Sequence, residues 1–193
     1  MQTSMLIVIS GPSGCGKTSI ARAILERHPE ILFSVSATTR LRRANEVHGK
    51  DYFFITKESF QKKIRDNDLV EWEQIYDDYY GTPEEEIRKA ATAGKPLLLD
   101  VDVKGALSIK KKYPTDSILL FVKPPSMEIL KERLMNRRTE NPEALHKRLS
   151  RATMEIEQAH RFDYTIINNT LETAIDEAES IIINIISSPI RKM

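Results

Sequence analysis

The sequence predicts an α/β fold in which helices cover both faces of a mostly parallel β-sheet. Short apolar runs suited to buried strands alternate along the chain with amphipathic helical patterns. A glycine-rich segment also separates the first apolar run from the first helical pattern. The length of 193 residues favours one domain, or one core with small insertions.

Composition excludes several classes of protein. Hydrophobic residues make up 40% of the chain and charged residues 30%, an ordinary balance for a soluble domain. A net charge of +1 gives no overall reason to expect nucleic acid or an anionic membrane as a partner. The single cysteine, Cys15, allows no internal disulfide and suits a reducing compartment. The apolar run Met5–Ile9 is too short for a signal peptide, so we expect a cytoplasmic protein. The sequence gives no reason to expect an obligatory protein partner.

In the first half of the chain, strands and helices alternate up to a polar, basic segment. The expected elements are a strand at Met5–Ser10, a helix ending at His28, a strand at Leu32–Ser36, a loop at Thr38–Gly49, an extended piece at Asp51–Ile55, a helix at Lys57–Arg65 and a strand at Leu69–Ile75. The region 38–80 holds several short extended pieces and breaks the alternation, so we expect a small inserted β-rich subdomain there.

The second half returns to the alternation. Thr82 is expected to cap a helix that Pro83 begins, with Glu85 completing a capping box and Gly94 ending the helix. The other expected elements are strands at Leu97–Val103, Ile118–Val122 and Tyr164–Ile167, helices at Lys104–Lys112, Met127–Arg137 and Pro142–Ala159, and a final helix opened by Asn169 and Glu172.

The segment Gly11–Thr18 fits the phosphate-loop pattern G-x-x-x-x-G-K-[ST] and has a strand before it and a helix after it. Glycines allow backbone N–H groups to surround phosphate oxygens, and the helix N-terminus adds partial positive charge. Lys17 should reach the β- and γ-phosphates of a nucleotide, and the Thr18 hydroxyl should help to hold Mg²⁺. The alternative is a glycine-rich turn with a solvated lysine. The residues assigned to nucleotide binding are Gly11, Pro12, Ser13, Gly14, Cys15, Gly16, Lys17, Thr18 and Ser19, with Cys15 interpreted as filler and not as a nucleophile.

A second basic segment follows the second strand. The arginine segment, Ser36–Arg43, contains three arginines, and the planar arginine side chain suits bidentate contact with a phosphate. Glu46 and Tyr52 follow closely, and a tyrosine hydroxyl can donate to a phosphate oxygen. The alternative interpretation is a solvated basic loop.

Several blocks together resemble the guanylate kinase family. They are Ser36–Arg43, Glu46–Tyr52, Glu71-Trp72, Tyr79–Thr82 and Leu99–Asp102, in the order of that family, and the similarity runs from about Leu6 to about Asn168. The resemblance implies one domain, 1–193, with a P-loop kinase core, an inserted β-rich GMP-binding subdomain and a helical lid. The core would comprise 1–36, 82–125 and 160–193, the subdomain 37–81 and the lid region 126–159.

The same resemblance implies the residues that bind GMP. Arg40, Arg43, Tyr52 and Tyr80 would hold the phosphate, and Ser36, Glu71, Thr82 and Asp100 would contact the guanine and its surroundings. A carboxylate such as Glu71 suits guanine because it can accept from both N1–H and the 2-amino group. Other roles stay open: Thr82 as a helix cap, Tyr80 as core packing, Glu71 as a solvent-facing acid, and Asp100 or Asp102 in organising Mg²⁺-bound water or arginine contacts.

A third basic cluster comprises Arg133, Arg137, Arg138, Arg148 and Arg151. Arg133 and Arg137 are four residues apart and would share a helix face. Resemblance to the guanylate kinase lid makes Arg133, Arg137 and Arg148, with Lys17, the expected catalytic contacts to ATP phosphates; the alternative is a solvated helix surface. Arg138 and Lys104 depart from the family, which often has a small residue and a glutamine there. The four histidines show no metal-ligand spacing, so no zinc site is expected.

The resemblance implies a transferase of purine nucleotide metabolism that moves the γ-phosphoryl group of ATP to GMP with Mg²⁺, giving ADP and GDP. One alternative is a nucleoside monophosphate kinase for another base, against which Glu71 and Ser36 argue. A second is a non-catalytic, peptide-binding module of the guanylate kinase type, against which the intact phosphate loop and the lid arginines argue.

Overall fold

The computed structural model describes residues 4–136 and 142–187, and these form two β-sheets with helices packed against them. The strands are β1 (Leu6–Ser10), β2 (Leu32–Phe33), β3 (Ala37–Thr38), β4 (Phe53–Phe54), β5 (Leu69–Ile75), β6 (Asp78–Pro83), β7 (Leu97–Asp100), β8 (Ser117–Lys123) and β9 (Tyr164–Ile167). The helices are α1 (Lys17–Arg27), α2 (Lys57–Arg65), α3 (Glu84–Ala93), α4 (Val103–Lys112), α5 (Met127–Met135), α6 (Pro142–Glu157) and α7 (Leu171–Ser187), with a 3₁₀ turn at Gln158–Arg161.

The larger sheet of the described residues has five strands in the order β2-β7-β1-β8-β9, and all of its pairs are parallel. Every residue of the central strand β1 is buried. Ile7 and Ile9 pack with α1 and α7, whereas Leu6 and Val8 pack with α3 and α4. This alternation buries both faces of the sheet, which explains the continuous apolar runs and confirms the predicted α/β class.

The smaller sheet has four strands in the order β4-β3-β6-β5 within the described part of the chain. The pairs β3–β6 and β5–β6 are antiparallel, and β3–β4 is parallel. Fully buried Phe60 of α2 packs under it with Ala37 and Leu69. Glu71 of β5 pairs with Thr82 of β6. Paired residues share a face of the sheet, so this register brings the two polar side chains together.

Two strands of the smaller sheet differ from the sequence expectation. β3 lies partly in the segment expected to be a loop, and β6 was not expected as a strand because Thr82-Pro83 was interpreted as a helix start. The capping prediction for Thr82 is wrong: α3 begins at Glu84, Pro83 occupies the cap position without a side-chain hydrogen bond, and Thr82 belongs to β6. Pairing of β6 with β5 therefore keeps Thr82 and Pro83 in a strand, although their local sequence is typical of a helix start.

Other boundaries also shift. The strand expected to reach Val103 ends at Asp100, because Asp102 caps α4 by accepting from the backbone N–H of Gly105 at 2.7 Å. The strand expected at Leu32–Ser36 ends at Phe33, α5 ends at Met135, and α6 gives way to the 3₁₀ turn after Glu157. None of the helices in the described parts of the chain is both long and apolar enough to cross a membrane.

The Phe60 side chain provides a stability test of the smaller sheet. Phe60→Ala should lower the free energy of unfolding by about 3–5 kcal/mol, because it leaves a cavity where a fully buried ring now packs. Trp72→Ala is the matched control, since that ring lies in the same sheet but is 46% exposed, and its cost should be clearly smaller. Denaturant unfolding measures both variants, and equal costs would contradict this packing.

Candidate active site

The phosphate loop, Gly11–Thr18, connects the end of β1 to the start of α1 at the carboxyl edge of the larger sheet. The ammonium of Lys17 folds back across it and donates to the carbonyl oxygens of Gly11 at 2.8 Å and Pro12 at 3.1 Å. Burial acts to lower the pKa of Lys17, but the negative charge around it, including the Asp100 carboxylate, outweighs burial and holds that pKa above its ordinary value. The loop therefore presents a fixed positive charge.

Cys15 lies on the inner side of this loop. It is fully buried in the core cluster shared with α1, and burial raises the pKa of its thiol. A neutral, inaccessible thiol is a poor nucleophile. Its surroundings therefore favour the interpretation of Cys15 as a packing residue whose backbone belongs to the loop.

Thr18 and Asp100 come together at the same edge of the sheet. The Thr18 hydroxyl donates to Oδ2 of Asp100 at 2.8 Å. A hydroxyl and a carboxylate are hard oxygen ligands of the kind that Mg²⁺ prefers, and Mg²⁺ commonly needs only one or two protein ligands besides nucleotide phosphates. No group of three or more His, Cys, Asp or Glu residues in the described chain could hold a metal by itself. The donor set at Thr18 thus fits a magnesium ion that is shared with a nucleotide.

In the arginine segment, Arg40 is oriented by a carboxylate. Its guanidinium donates to both oxygens of Glu46, at 2.7 and 2.5 Å, and lies 5.1 Å from the centre of the Tyr52 ring. These bonds lower the pKa of Glu46 to about 2. Glu46 also accepts from the backbone N–H of Arg43 at 2.9 Å. Glu46 therefore fixes Arg40 and organises the backbone at Arg43, although Arg43 itself is exposed.

Two tyrosines stand beside Arg40. The rings of Tyr52 and Tyr80 meet edge to face, with centroids 6.2 Å apart. Burial, with a further effect of Asp100, raises the pKa of Tyr52 to about 12, so its hydroxyl stays a neutral donor. Asp100 thus acts on Tyr52 as well as on Thr18, so one carboxylate lies near both the phosphate loop and the tyrosines beside Arg40. An ion pair at 2.9 Å between Arg22 of α1 and Asp51 also links the two sides.

Glu71 is a buried acid on β5 of the smaller sheet. It is 8% exposed and accepts a hydrogen bond from the Thr82 hydroxyl at 2.6 Å. Burial raises its pKa to about 7, against the Thr82 bond, which lowers it. A Cβ at Gly105 of α4 would lie 2.6 Å from Oε2 of Glu71, so only glycine leaves room for this carboxyl. Ser36 lies between β2 and β3, where its carbonyl accepts from Phe53 N–H at 2.9 Å.

Two of the expected arginines lie on α5 and α6, and one of them contacts the phosphate loop directly. Arg133 of α5 donates to the backbone carbonyl of Asn168 at 3.0 Å, and Arg148 of α6 donates to the Ser13 hydroxyl. Leu134 of α5 packs so closely on Gly14 that a Cβ there would lie 2.9 Å from it. Arg137, like Arg138, lies outside the described residues.

Arg151 forms an ionic network that the sequence did not indicate. It donates to Asp102 at 2.9 Å and to Glu155 at 2.7 Å. Asp102 already caps α4, so both of its oxygens have partners, which favours an arginine-contact role over guanine or Mg²⁺-bound water. Burial raises the pKa of Glu155 despite Arg151. The basic cluster was visible in the sequence, but the pairing of Arg151 with Asp102 was not, because 49 residues separate them.

A parallel sheet with a phosphate loop after its central strand, together with a smaller sheet that carries an arginine-tyrosine group, defines a P-loop kinase fold. The comparisons with known proteins narrow this class. The family model described as guanylate kinase matches residues 3–185 of the chain. The chain belongs to the guanylate kinase family.

Individual relatives agree with that assignment. A guanylate kinase of Chlorobium luteolum is 49% identical over 183 residues, covering 95% of this chain and 93% of the relative. One of Clostridium perfringens is 44% identical over 179 residues, covering 93% of this chain and 82% of the relative. The crystal structure of guanylate kinase from Anaplasma phagocytophilum superposes with a TM-score of 0.82 at 29% identity, covering 98% of this chain and 89% of that chain.

The environment of Glu71 predicts a pH-dependent effect on stability. The folded-state pKa of about 7 exceeds the ordinary 4.5, so the unfolded chain loses this proton first as the pH rises. Between about pH 4.5 and about pH 7 the parent should therefore lose stability relative to Glu71→Gln, by about 1–3 kcal/mol in free energy of unfolding.

Denaturant unfolding across this pH range measures the difference. Glu177→Gln, at an exposed glutamate of α7, is the control and should give a difference that is nearly independent of pH. A parent protein whose stability does not fall relative to Glu71→Gln as the pH rises would show that Glu71 is not held in a desolvated site.

Proposed function

We propose that this chain is a guanylate kinase of purine nucleotide metabolism, which transfers the γ-phosphoryl group of ATP to GMP and releases ADP and GDP. The observations that support this most directly are the position of Asp100, which accepts from Thr18 of the phosphate loop and helps to raise the pKa of Tyr52, and the ion pair that joins Arg22 of α1 to Asp51. The proposal has ATP and Mg²⁺ on the donor side, GMP as acceptor, a cytoplasmic location, and neither nucleic acid nor a membrane as partner.

On the donor side, residues 11–19 would hold the ATP phosphates. The Lys17 ammonium would leave its carbonyl contacts to balance the charge of the β- and γ-phosphates. The Thr18 hydroxyl, with Asp100 beside it, would hold Mg²⁺, which neutralises phosphate charge and orients the oxygens when it is bound. Arg133 and Arg148 of the lid helices, with Arg137 by sequence, would close over the transferred group and exclude water.

On the acceptor side, Arg40, Arg43, Tyr52 and Tyr80 would bind the GMP phosphate. Glu46 orients the Arg40 guanidinium before any ligand arrives, which reduces the entropy lost on binding. The Tyr52 hydroxyl stays protonated, so it can donate to a phosphate oxygen without adding negative charge. Arginine and tyrosine together would hold a dianion while keeping the site close to neutral.

Glu71, Thr82, Ser36 and Asp100 would surround the guanine. In its ionised form, Glu71 can accept from N1–H and the 2-amino group, and these donors would favour the carboxylate over the protonated acid of the free site. Adenine presents a lone pair at N1 and no 2-amino group. Bound adenine would therefore place its N1 lone pair against the buried carboxylate of Glu71 and would donate no hydrogen bond to it there, at a cost of ~1–3 kcal/mol in binding free energy.

The chemistry needs no dedicated general base. The second pKa of a phosphate monoester is about 6, so the attacking oxygen of GMP is already largely anionic at neutral pH. The difficulty is to bring two polyanions into line. Lys17 and the lid arginines on one side, and Arg40 with Arg43 on the other, would offset their repulsion, so catalysis is mainly positioning and electrostatics.

A substrate panel tests the assignment. With ATP and Mg²⁺, the parent should prefer GMP over AMP, CMP and UMP by at least roughly tenfold in kcat/KM. Glu71→Gln should reduce that preference roughly tenfold or more, because the amide N–H₂ opposes the donors of guanine. Glu73→Gln on the same strand is the control and should leave it unchanged. A preference for AMP would contradict the assignment, and failure to consume ATP with GMP would favour the peptide-binding alternative.

Lys17→Ala separates catalysis from acceptor binding. Loss of the fixed charge on the transferred group should lower kcat by roughly 10²–10³-fold. GMP binding without ATP, measured by calorimetry, should change by less than about twofold. Lys95→Ala, at an exposed lysine after α3, should leave both unchanged. Normal turnover in Lys17→Ala would exclude this role for Lys17.

A further inference from the structure

Asn168 joins three separate elements of the active-site edge. It follows β9 directly and is 3% exposed. Its side-chain Nδ2 donates to the Cys15 carbonyl in the phosphate loop at 2.7 Å. Its backbone N–H donates to the Lys123 carbonyl at the end of β8 at 2.9 Å, and its backbone carbonyl accepts from Arg133 of α5 at 3.0 Å. One buried residue thus contacts the loop, the sheet and a lid helix.

The phosphate loop is shaped around this side chain. Gly16 has φ +103°, and a Cβ added there would lie 2.3 Å from Nδ2 of Asn168. That distance is far below any van der Waals contact, so a larger residue at position 16 would displace Asn168 as well as strain the backbone. The glycine at this position is therefore required by the contact with Asn168 in addition to the conformation of the loop.

The Asn168 contact also fixes the direction of a phosphate-binding group. No peptide bond in the described chain is cis, and in a planar trans peptide the C=O and N–H point in opposite directions. Because the Cys15 carbonyl points to Asn168, the N–H of Gly16 points away from it. Phosphate binding by such loops depends on inward-facing N–H groups. Asn168 therefore sets the orientation of one of these donors.

Stability alone does not explain an asparagine at this position. Among the described residues, Oδ1 of Asn168 is buried and has no hydrogen-bond partner. An unsatisfied buried acceptor is a cost to folding. The amide side chain occupies this buried position despite that cost, and its N–H is the group that contacts the loop.

We propose that Asn168 is a positioning residue for the nucleotide, which holds the Gly16 N–H and the Arg133 guanidinium in the orientations that bind phosphate. The inference rests on the proposed function for the identity of the nucleotide, but it concerns binding and not transfer. If the parent binds Mg–ADP and fails to phosphorylate GMP, the proposed function fails, while the role of Asn168 is still decided by ADP binding.

Asn168→Asp gives the sharpest test because it replaces the N–H donor with an oxygen of the same shape facing the Cys15 carbonyl. Calorimetric titration should show Mg–ADP binding weakened roughly tenfold, the equivalent of one lost hydrogen bond, with GMP binding changed by less than about twofold. Asn169→Asp makes the same chemical change at the exposed neighbouring residue and should leave both affinities unchanged.

A pH series distinguishes positioning from simple destabilisation. Once protonated, the introduced carboxyl can again donate to the Cys15 carbonyl, so the ADP defect of Asn168→Asp relative to the parent should shrink as the pH falls. Asn168→Ala removes the donor without adding a carboxyl, and its ADP defect should be independent of pH. Wild-type-like ADP binding in both variants, or equal loss of ADP and GMP binding with a lowered unfolding midpoint, would overturn the inference.

Discussion

The parallel pairing of β1 with β7 and β8 is the constraint on which the site depends. Ile9 pairs with Asp100 and Ser10 with Phe121, so β1 and β7 end at nearly the same level and their following segments meet at one edge. Groups far apart in sequence, such as Thr18 and Asp100, come within hydrogen-bond distance for this reason. Burial of both sheet faces makes a change of register costly, because it would move closely packed side chains into the opposite layer of helices, where they do not fit. The packing of the core thus fixes the position of the phosphate loop.

The smaller sheet applies a similar constraint to an acid. Pairing of Glu71 with Thr82 places the carboxyl where burial raises its pKa and a hydroxyl partly compensates. Gly105 leaves the space that the carboxyl occupies. A desolvated acid of this kind is maintained by the surrounding packing, and a ligand with two N–H donors would relieve its desolvation. Glu46 shows the opposite effect, because its hydrogen bonds with Arg40 lower its pKa to about 2. Two glutamates in the same part of the chain therefore have very different pKa values because their environments differ.

The parts of the molecule that local sequence determines were predictable. β5, β9 and α2 have the expected bounds because apolar periodicity and flanking turns define them. The phosphate loop was recognisable because its residues are contiguous. β6 was missed because Thr82-Pro83 resembles a helix start, and only pairing with β5 decides against it. The bonds from Asn168 to Cys15 and from Arg151 to Asp102 join residues far apart in the chain, and no local pattern in the sequence signals them.

The burial of Cys15 has a practical consequence for studying motion in this enzyme. The chain has one cysteine, and its thiol is inaccessible and predominantly uncharged. Maleimide dyes and spin labels react with exposed thiolates, so the native residue should remain silent and need not be replaced. A cysteine introduced at Leu41, which is 91% exposed, would then be the one labelled position. Fluorescent or paramagnetic reporters can be placed on the arginine segment without disturbing the core.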